Sequence, residues 1–287
     1  MKRVAVAIVF LALAFASLIV VRSWRFALSQ LHPPRVAVPE APPISGLTHV
    51  EFAEPNGIVL RGWWVPSKNQ AAVILLHGFS SNRAQMLPEL ELLVKHGFGV
   101  LAFDLPGHGA SGGDLVTWGD REQMSLVTAI TFVAHLPGVD PDRIGALGFS
   151  MGGSTVIEVG AVDPRLKAVV ATGTYTTLTD ELDHEASKWG PLSQIPVKKA
   201  MQLNGVAVDR VHPIDVICKI SPRPVLLIDG TDDVSTPVDM EARLFAAACE
   251  PKALWLVPGA HHGDYARVDG PEYERRLVFL FDSALVK

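Results

Sequence analysis

A serine flanked by glycines lies between a strand-like and a helix-like segment near the middle of the chain. The serine is Ser150, and Gly148 and Gly152 stand two positions to either side. Residues 143–147 before it form a short apolar run typical of a buried strand, and residues 153–159 begin a helical pattern. A sharp turn from strand into helix strains the residue between them, so its neighbours must be small. The sequence therefore predicts an exposed hydroxyl at the end of a strand.

Short apolar runs alternate with helix-like segments through most of residues 45–287. The strand-like runs are residues 58–65, 72–76, 99–104, 143–147, 167–172, 225–229 and 253–257. Residues 83–96 and 120–136 have the apolar spacing of helices. This alternation predicts an α/β fold, with a mainly parallel sheet and helices on both faces. Ligands bind such sheets at the carboxyl ends of the strands.

The first 25 residues predict a membrane anchor. Residues 4–21 form an uninterrupted apolar run between basic side chains at positions 2–3 and 22–25. About 18 residues in a helix span about 27 Å, close to the thickness of a bilayer core. The alternative is a cleaved signal peptide, because residues 14–16 (Ala-Phe-Ala) resemble a cleavage site. Cleavage there would leave residues 18–21 as an apolar end, so we favour the anchor.

Residues 26–44 predict a Pro-rich linker. Five prolines and few side chains that could pack favour an extended spacer that holds a domain of residues 45–287 off the membrane. Basic residues flank the anchor on both sides, and we expect the domain to lie outside the cytoplasm. Secretion is the alternative if the anchor is cleaved.

The charge and the cysteine spacing argue against nucleic-acid binding and against a metal site. The formal net charge is −5 and no long basic run occurs, so we expect no nucleic-acid partner. The chain has two cysteines, Cys218 and Cys249, outside any metal-binding spacing. They could pair, but two scattered cysteines are more often free and buried. We expect no metal and no organic cofactor.

Further motifs follow other predicted strands. His77, Gly78 and Phe79 follow the strand of residues 72–76. A carbonyl oxygen that becomes an oxyanion needs two fixed N–H donors, and we expect them from the backbone of Phe79 and Met151.

An acid and a histidine are expected at two later strand ends. Asp232 and Asp233 follow the strand of residues 225–229, and His261 and His262 follow the last strand. A carboxylate here could orient a histidine that acts as general base. Chemistry alone does not separate the two acids or the two histidines, but the order Ser, Asp, His fits this fold.

These motifs together resemble the α/β-hydrolase superfamily. The similarity covers about residue 50 to the C-terminus, and its carriers are residues 76–79, 103–111, 148–152, 229–233 and 259–262. Within it, the chain is similar to bacterial monoglyceride-lipase-like and membrane-anchored α/β-hydrolase-domain proteins. The resemblance implies the α/β-hydrolase fold and a catalytic triad of Ser150, Asp233 and His262. It also implies that Asp104 belongs to a structural turn.

The alternation breaks at about residues 174–213. In the fold that the chain resembles, an insertion here usually forms a small lid over the active site. Its apolar residues favour a short or medium acyl ester, or a lipid-like one. Ordinary packing of helices against the sheet edge is the alternative.

The expected function is hydrolysis of small-molecule carboxylic esters through an acyl-enzyme intermediate on Ser150. One alternative is a serine aminopeptidase or oligopeptidase, although the lid offers only scattered acids such as Asp180, Glu181 and Asp183. A serine perhydrolase or haloperoxidase would share the triad. A membrane-tethered binding domain without catalysis is the alternative of a different class. The sequence does not indicate the oligomeric state.

Overall fold

Eight strands of five to seven residues pair into one sheet in the computed structural model, which describes residues 2–286. Within that range the strands are β1 (Thr48–Ala53), β2 (Val59–Val65), β3 (Ala72–Leu76), β4 (Gly99–Phe103), β5 (Ile144–Phe149), β6 (Leu166–Thr172), β7 (Val225–Gly230) and β8 (Lys252–Val257). Their order across the sheet is β1-β2-β4-β3-β5-β6-β7-β8. The pairs β1–β2 and β2–β4 are antiparallel and the other pairs are parallel, which confirms the predicted, mainly parallel sheet.

The centre of the sheet explains why the strand-like runs are continuously apolar. Every residue of β3, β4 and β5 is buried, because helices cover both faces. The edge strand β1 is not predicted from the apolar pattern. Phe52 is its one buried side chain, so its sequence lacks an apolar run.

Helices pack on both faces of the sheet. Within the described residues they are α1 (Lys2–Leu31), α2 (Leu87–Lys95), α3 (Glu122–Ala134), α4 (Met151–Val162), α5 (Leu178–Ser187), α6 (Gln194–Leu203), α7 (Pro213–Val216), α8 (Val238–Ala247), α9 (Tyr265–Val268) and α10 (Gly270–Leu285). Leu126 of α3 and Val156 of α4 belong to one hydrophobic cluster, together with Ile74 of β3. Leu90 of α2 and Leu277 of α10 belong to a second cluster on the opposite face.

The N-terminal helix α1 has an exposed part and a packed part. Its most apolar 18-residue window has a mean hydropathy of 3.1 and none of it is buried, so the helix is long and apolar enough to cross a membrane. A signal sequence near an N-terminus has the same character. Further along, Ser23, Ala27 and Leu31 are buried, and their spacing of four places them on one face of the helix. This face packs against α6.

The start predicted for the Pro-rich linker, residue 26, is corrected by this helix. Residues 26–31 are helical because they contain no proline and continue the buried face of α1. The helix ends where Pro33 disfavours a helical conformation of the residue before it.

The rest of the predicted linker lies on the domain instead of spacing it from a membrane. The Arg35 guanidinium donates to the carbonyl of Gly109 at 3.2 Å. The side-chain amide of Asn82 donates to the carbonyl of Val36, also at 3.2 Å. Val38 packs against the second hydrophobic cluster. These contacts tie residues 32–44 along the surface.

The interval predicted as a lid, residues 174–213, contains short helices. These are α5 and α6, with single 3-10 turns at Pro191–Ser193 and Val208–Arg210. Leu182 of α5 and Met201 of α6 are buried, so the interval is packed onto the body of the domain.

The two cysteines, whose pairing the sequence leaves open, form a disulfide. Cys218 precedes β7 and Cys249 precedes β8, and these strands are parallel neighbours. The segments leading into them therefore meet at one end of the sheet, where the two Cα atoms are 4.6 Å apart. That separation is within the range of disulfides. The sequence does not reveal the pairing because it depends on strand order.

Candidate active site

Four strand-end loops converge at one edge of the sheet and form what we call the strand-end wall. Phe79 follows β3, Ser150 follows β5, Asp233 follows β7 and His262 follows β8. All four strands are parallel, so their carboxyl ends lie at the same edge. The structure thereby brings all the predicted site residues to one region.

Ser150 occupies the predicted sharp turn between β5 and α4. Its φ of 54° and ψ of −117° are a conformation that non-glycine residues rarely adopt. The turn is held by the backbone, because the N–H of Ser150 donates to the carbonyl of Thr172 at 2.8 Å. Its carbonyl accepts the N–H of Ser154 at 3.0 Å, in the first turn of α4.

The two positions that flank Ser150 have no room for a side chain and therefore require glycine. A Cβ on Gly148 would lie 2.1 Å from the carbonyl oxygen of Gly152. A Cβ on Gly152 would lie 2.5 Å from the carbonyl oxygen of Leu76. Both contacts are with backbone that cannot move aside, so any larger residue would deform the turn.

The loop after β3 is oriented by a buried histidine. His77 Nε2 accepts the N–H of Leu105 at 3.0 Å, so the ring proton is on Nδ1, which donates to the carbonyl of Gly78 at 2.7 Å. Burial lowers the pKa of His77 to about 4, which keeps the ring neutral. Because the peptide group is planar and trans, fixing the Gly78 carbonyl also fixes the opposite direction of the Phe79 N–H.

The two predicted oxyanion donors are unused. Among the described residues, the N–H groups of Phe79 and Met151 donate to no protein acceptor. Met151 is the first residue of α4, where backbone N–H groups have no partner within the helix and carry the positive end of its dipole. Free donors at this point suit a developing negative charge.

Asp233 and His262 are directly hydrogen-bonded. His262 Nδ1 lies 2.6 Å from Asp233 Oδ2, and Thr236 Oγ1 donates to the same oxygen at 3.1 Å. The other oxygen, Oδ1, accepts the N–H groups of Ser235 and Thr236 at 2.7 and 3.0 Å. The contacts fix the carboxylate and leave Nε2 as the free nitrogen of the ring.

The neighbouring acid and histidine point elsewhere. Asp232 is exposed, and its side chain accepts from the hydroxyl of Thr231 at 3.0 Å. His261 is also exposed and its Nδ1 lies 2.9 Å from the carbonyl of Asp232. The geometry therefore favours Asp233 and His262, the choice that the resemblance implied.

The negative charge near His262 is concentrated on Asp233. Burial alone would raise the pKa of Asp233, but the hydrogen bonds and charge of His262 outweigh it and lower the pKa below the usual carboxyl value. Burial raises the pKa of Asp229, and the charge of Asp233 raises it further. Burial also raises the pKa of Glu241. Burial thus favours the protonated form of Asp229 and Glu241, and His262 favours the ionised form of Asp233, as expected for carboxyls that share a site.

A cleft of about 480 Å³ opens above Ser150. Residues lining it include Gln30, Phe79, Trp118, Ser150, Glu181 and His262. Among the residues that the structure describes, the Ser150 hydroxyl makes no hydrogen bond to His262. This is common in sites without bound substrate, where such contacts close only in the reacting complex.

The other side of the cleft, which we call the helical wall, comes from the end of α1, through Gln30, and from α5, through Glu181 and Glu185. Gln30 lines the cleft, and its carbonyl accepts the indole N–H of Trp118 at 3.3 Å. The Trp118 ring in turn stacks on Phe79, with centroids 4.3 Å apart. The last turn of α1 is therefore linked through Trp118 to the loop that carries an oxyanion donor.

Sequence reasoning misses Gln30 and Trp118. Gln30 lies in the segment predicted as a linker, and no local pattern marks it. Trp118 has a φ of 57°, a strained value for a large residue, yet φ leaves no trace in the sequence unless the residue is glycine.

Glu181 of α5 is buried at the edge of the cleft. Its Oε2 has no hydrogen-bond partner among the described residues. Burial raises the pKa of Glu181 to about 8, and the neighbouring Glu185 adds to the shift. Within residues 2–286, no group of three or more His, Cys, Asp or Glu side chains is placed to hold a metal ion.

Comparisons with known proteins identify the class. The family model described as serine aminopeptidase, S33 matches residues 67–213. The uncharacterized protein YfhR of Escherichia coli K12 is 29% identical over 249 residues, which cover 82% of this chain and 81% of YfhR. The uncharacterized protein Rv2307c of Mycobacterium tuberculosis H37Rv is 31% identical over 223 residues, which cover 75% of this chain and 72% of Rv2307c.

A solved structure with the same fold is the esterase Pf2001 of Pyrococcus furiosus. It superposes with a TM-score of 0.75 at 26% identity and covers 90% of this chain and 100% of Pf2001. The chain belongs to the serine aminopeptidase S33 family of α/β hydrolases. The resemblance and the α/β-hydrolase fold inferred from the sequence are confirmed, and the chain is a hydrolase.

Proposed function

We propose that this protein hydrolyses carboxylic esters through an acyl-enzyme intermediate on Ser150. The observation that carries the proposal is the Asp233–His262 pair, held at 2.6 Å in the cleft that also exposes Ser150. Two free N–H groups, those of Phe79 and Met151, complete the set of groups that acyl transfer needs.

In the first half-reaction, Ser150 Oγ attacks the ester carbonyl carbon and its proton passes to His262 Nε2. The carbonyl oxygen becomes an oxyanion that accepts the N–H groups of Phe79 and Met151. Asp233 retains its hydrogen bond to Nδ1 and stabilises the imidazolium. When the C–O bond of the ester breaks, Nε2 returns the proton to the departing alcohol.

In the second half-reaction, water replaces the alcohol. His262 Nε2 takes a proton from the water, whose oxygen attacks the acyl carbon on Ser150. The same two N–H groups hold the second oxyanion. The bond to Ser150 Oγ then breaks, the carboxylic acid leaves and Ser150 regains its proton.

The cleft supports an ester with a short, medium or lipid-like acyl group. Phe79, Phe149 and Trp118 are apolar parts of its lining. Pf2001, a solved structure with the same fold at 26% identity, is named an esterase. A membrane anchor would bring the protein to lipid-like substrates.

Aminopeptidase activity is a second candidate because two acids line the cleft. Glu181 and Glu185 both belong to α5, and a carboxylate there could hold the ammonium group of a peptide. The family description names a serine aminopeptidase, which supports the same candidate. The test below separates the two.

We further propose that α1 is retained as an anchor and that the domain lies outside the cytoplasm. The helix continues without a break from the exposed apolar part into the part packed on α6. The Cys218–Cys249 disulfide supports an oxidising compartment.

The proposal is tested with the full chain in detergent. We expect a fluorophosphonate probe to label the wild type and Ser235→Ala, a matched control serine in the same cleft, but not Ser150→Ala. An unlabelled wild type would favour a binding domain without catalysis. p-Nitrophenyl esters of increasing chain length, assayed beside aminoacyl-p-nitroanilides, then distinguish an esterase from an aminopeptidase.

A further inference from the structure

The lid carries a cluster of exposed apolar side chains. Trp189, Leu192 and Ile195 are 54%, 65% and 78% exposed, and we call these three residues the lid apex. Within the described part of the domain, residues 45–286, no other stretch of seven residues has three large apolar side chains so exposed. Single exposed apolar residues are ordinary, but a cluster indicates a contact surface.

The lid apex lies beside the point where α1 leaves its exposed apolar span. The Phe26 and Trp189 rings are 6.0 Å apart, and the Arg22 guanidinium lies 4.9 Å from the centre of the Trp189 ring. A cavity of about 340 Å³ separates this turn of α1 from the start of α6 at Ser193 and Val197. The exposed span, residues 4–21, ends one residue before Arg22.

We propose that the lid apex is embedded in the interfacial region of the bilayer leaflet from which α1 emerges. The position of α1 indicates that a lipid bilayer covers the lid apex, because a helix that spans the membrane brings the adjoining apex to the membrane surface. Tryptophan and arginine are typical of this region. Among the described residues, neither Arg22 nor Arg25 has an acidic partner, so both are available to lipid phosphates.

This docking places the cleft close to the membrane. Gln30, which lines the cleft, follows Arg22 by eight residues, a rise of about 12 Å along the helix axis. The inference rests on the proposed esterase function for the nature of the substrate. It names a membrane-borne amphipathic ester, which reaches Ser150 past Gln30, between the end of α1 and α5, while its apolar end remains near the bilayer.

Depth in the membrane is the direct test. The full chain is reconstituted into vesicles of phosphatidylcholine with a minor share of phosphatidylglycerol. A nitroxide is attached at Leu192→Cys, at Ile195→Cys or, as control, at Val162→Cys. Val162 is 70% exposed and ends α4, about 18 Å along that helix from Ser150 and away from the cleft. The native cysteines are bonded to each other and do not react.

We expect the probes at positions 192 and 195 to be more accessible to oxygen than to a water-soluble nickel chelate, and the probe at 162 to show the reverse. High accessibility to the nickel chelate at 192 and 195 would contradict docking. Low accessibility to both reagents there would show a protein occupant, such as a second copy, and would also overturn the proposal. This measurement requires no catalysis, so it is independent of the proposed function.

Substrate entry is tested with Ile195→Glu, a residue that does not line the cleft. Activity on an ester lipid in the same vesicles should fall about tenfold, because a charge at the apex weakens its binding to the membrane. Activity on soluble p-nitrophenyl butyrate should remain at the wild-type level. An equal fall for both substrates, or for neither, would contradict entry from the bilayer, whereas a wild type inactive on both would contradict the esterase function instead.

Discussion

The strand-end wall and the helical wall of the cleft are built on different physical principles. Ser150 and Asp233 follow strands that are fully buried in the sheet, and backbone hydrogen bonds fix their loops. His262 follows the edge strand β8 and is held by Asp233. The helical wall is held by side-chain packing of α1, α5 and α6, and it exposes apolar surface nearby. The proposed chemistry therefore lies on the side that is fixed by hydrogen bonds, whereas the proposed route of access lies on the side that adjoins the predicted membrane anchor.

The largest expected effect is the difference in activity between variants of two adjacent histidines in the strand-end wall. His262→Ala should lower kcat/KM for a p-nitrophenyl ester by about 10³-fold or more, because the general base is lost. His261→Ala removes an exposed ring that bonds only the carbonyl of Asp232, so it should leave activity near the wild type. Equal losses in steady-state assays would show that the two rings are not distinguished as proposed.

The next largest effect is the difference in kcat between variants of Asp233 and Asp232. Asp233→Asn keeps the shape of the side chain but weakens the orientation of His262, and we expect kcat to fall by about 10²- to 10⁴-fold. Asp232→Asn is the matched control, since its side chain meets only Thr231. Both variants should melt near the wild-type temperature, and a large kcat loss in the control would contradict the assignment.

A truncation tests whether the helical wall is part of the folded domain. A chain that begins at Arg22 keeps the buried Ala27 and Leu31, whereas one that begins at Ser45 exposes the surface they cover. Loss of a buried leucine contact costs about 2–5 kcal/mol. At about 2–4 °C per kcal/mol, the shorter chain should melt roughly 4–20 °C lower by calorimetry. Equal melting temperatures would show that residues 22–44 contribute nothing to the domain.

The smallest effect concerns the pH dependence of stability at Glu181. Its pKa of about 8 lies above the ordinary value of 4.5, so the folded protein retains a proton that the unfolded chain has lost between these pH values. Stability should therefore fall as pH rises through this window.

The substitution Glu181→Gln should remove this loss of stability at high pH. The variant should match the wild type at pH 4 and melt about 2–8 °C higher at pH 8, the scale of about 1–2 kcal/mol in a domain of this size. Glu185→Gln, on the same helix but paired with Lys188, should not reproduce the gain. The absence of any pH-dependent difference would contradict burial of an unpaired carboxyl on the helical wall.

The sequence predicts the strand-end wall better than the helical wall. The turn at Ser150 is predicted because the backbone leaves room only for glycine at positions 148 and 152. The parallel strands are predicted because burial on both faces requires continuous apolar runs. In contrast, Gln30 and Trp118 are missed, and the extent of α1 is corrected from residue 25 to Leu31.

The sequence by itself determined the class of fold, the strand-end motifs and the order of Ser150, Asp233 and His262, because each depends on local backbone geometry that restricts residue type. Only the tertiary structure decided the pairing of Cys218 with Cys249 and the presence of Gln30 in the cleft. These depend on which strands are neighbours and on how α1 packs against the lid. Such long-range contacts need only complementary surfaces, so no local pattern records them.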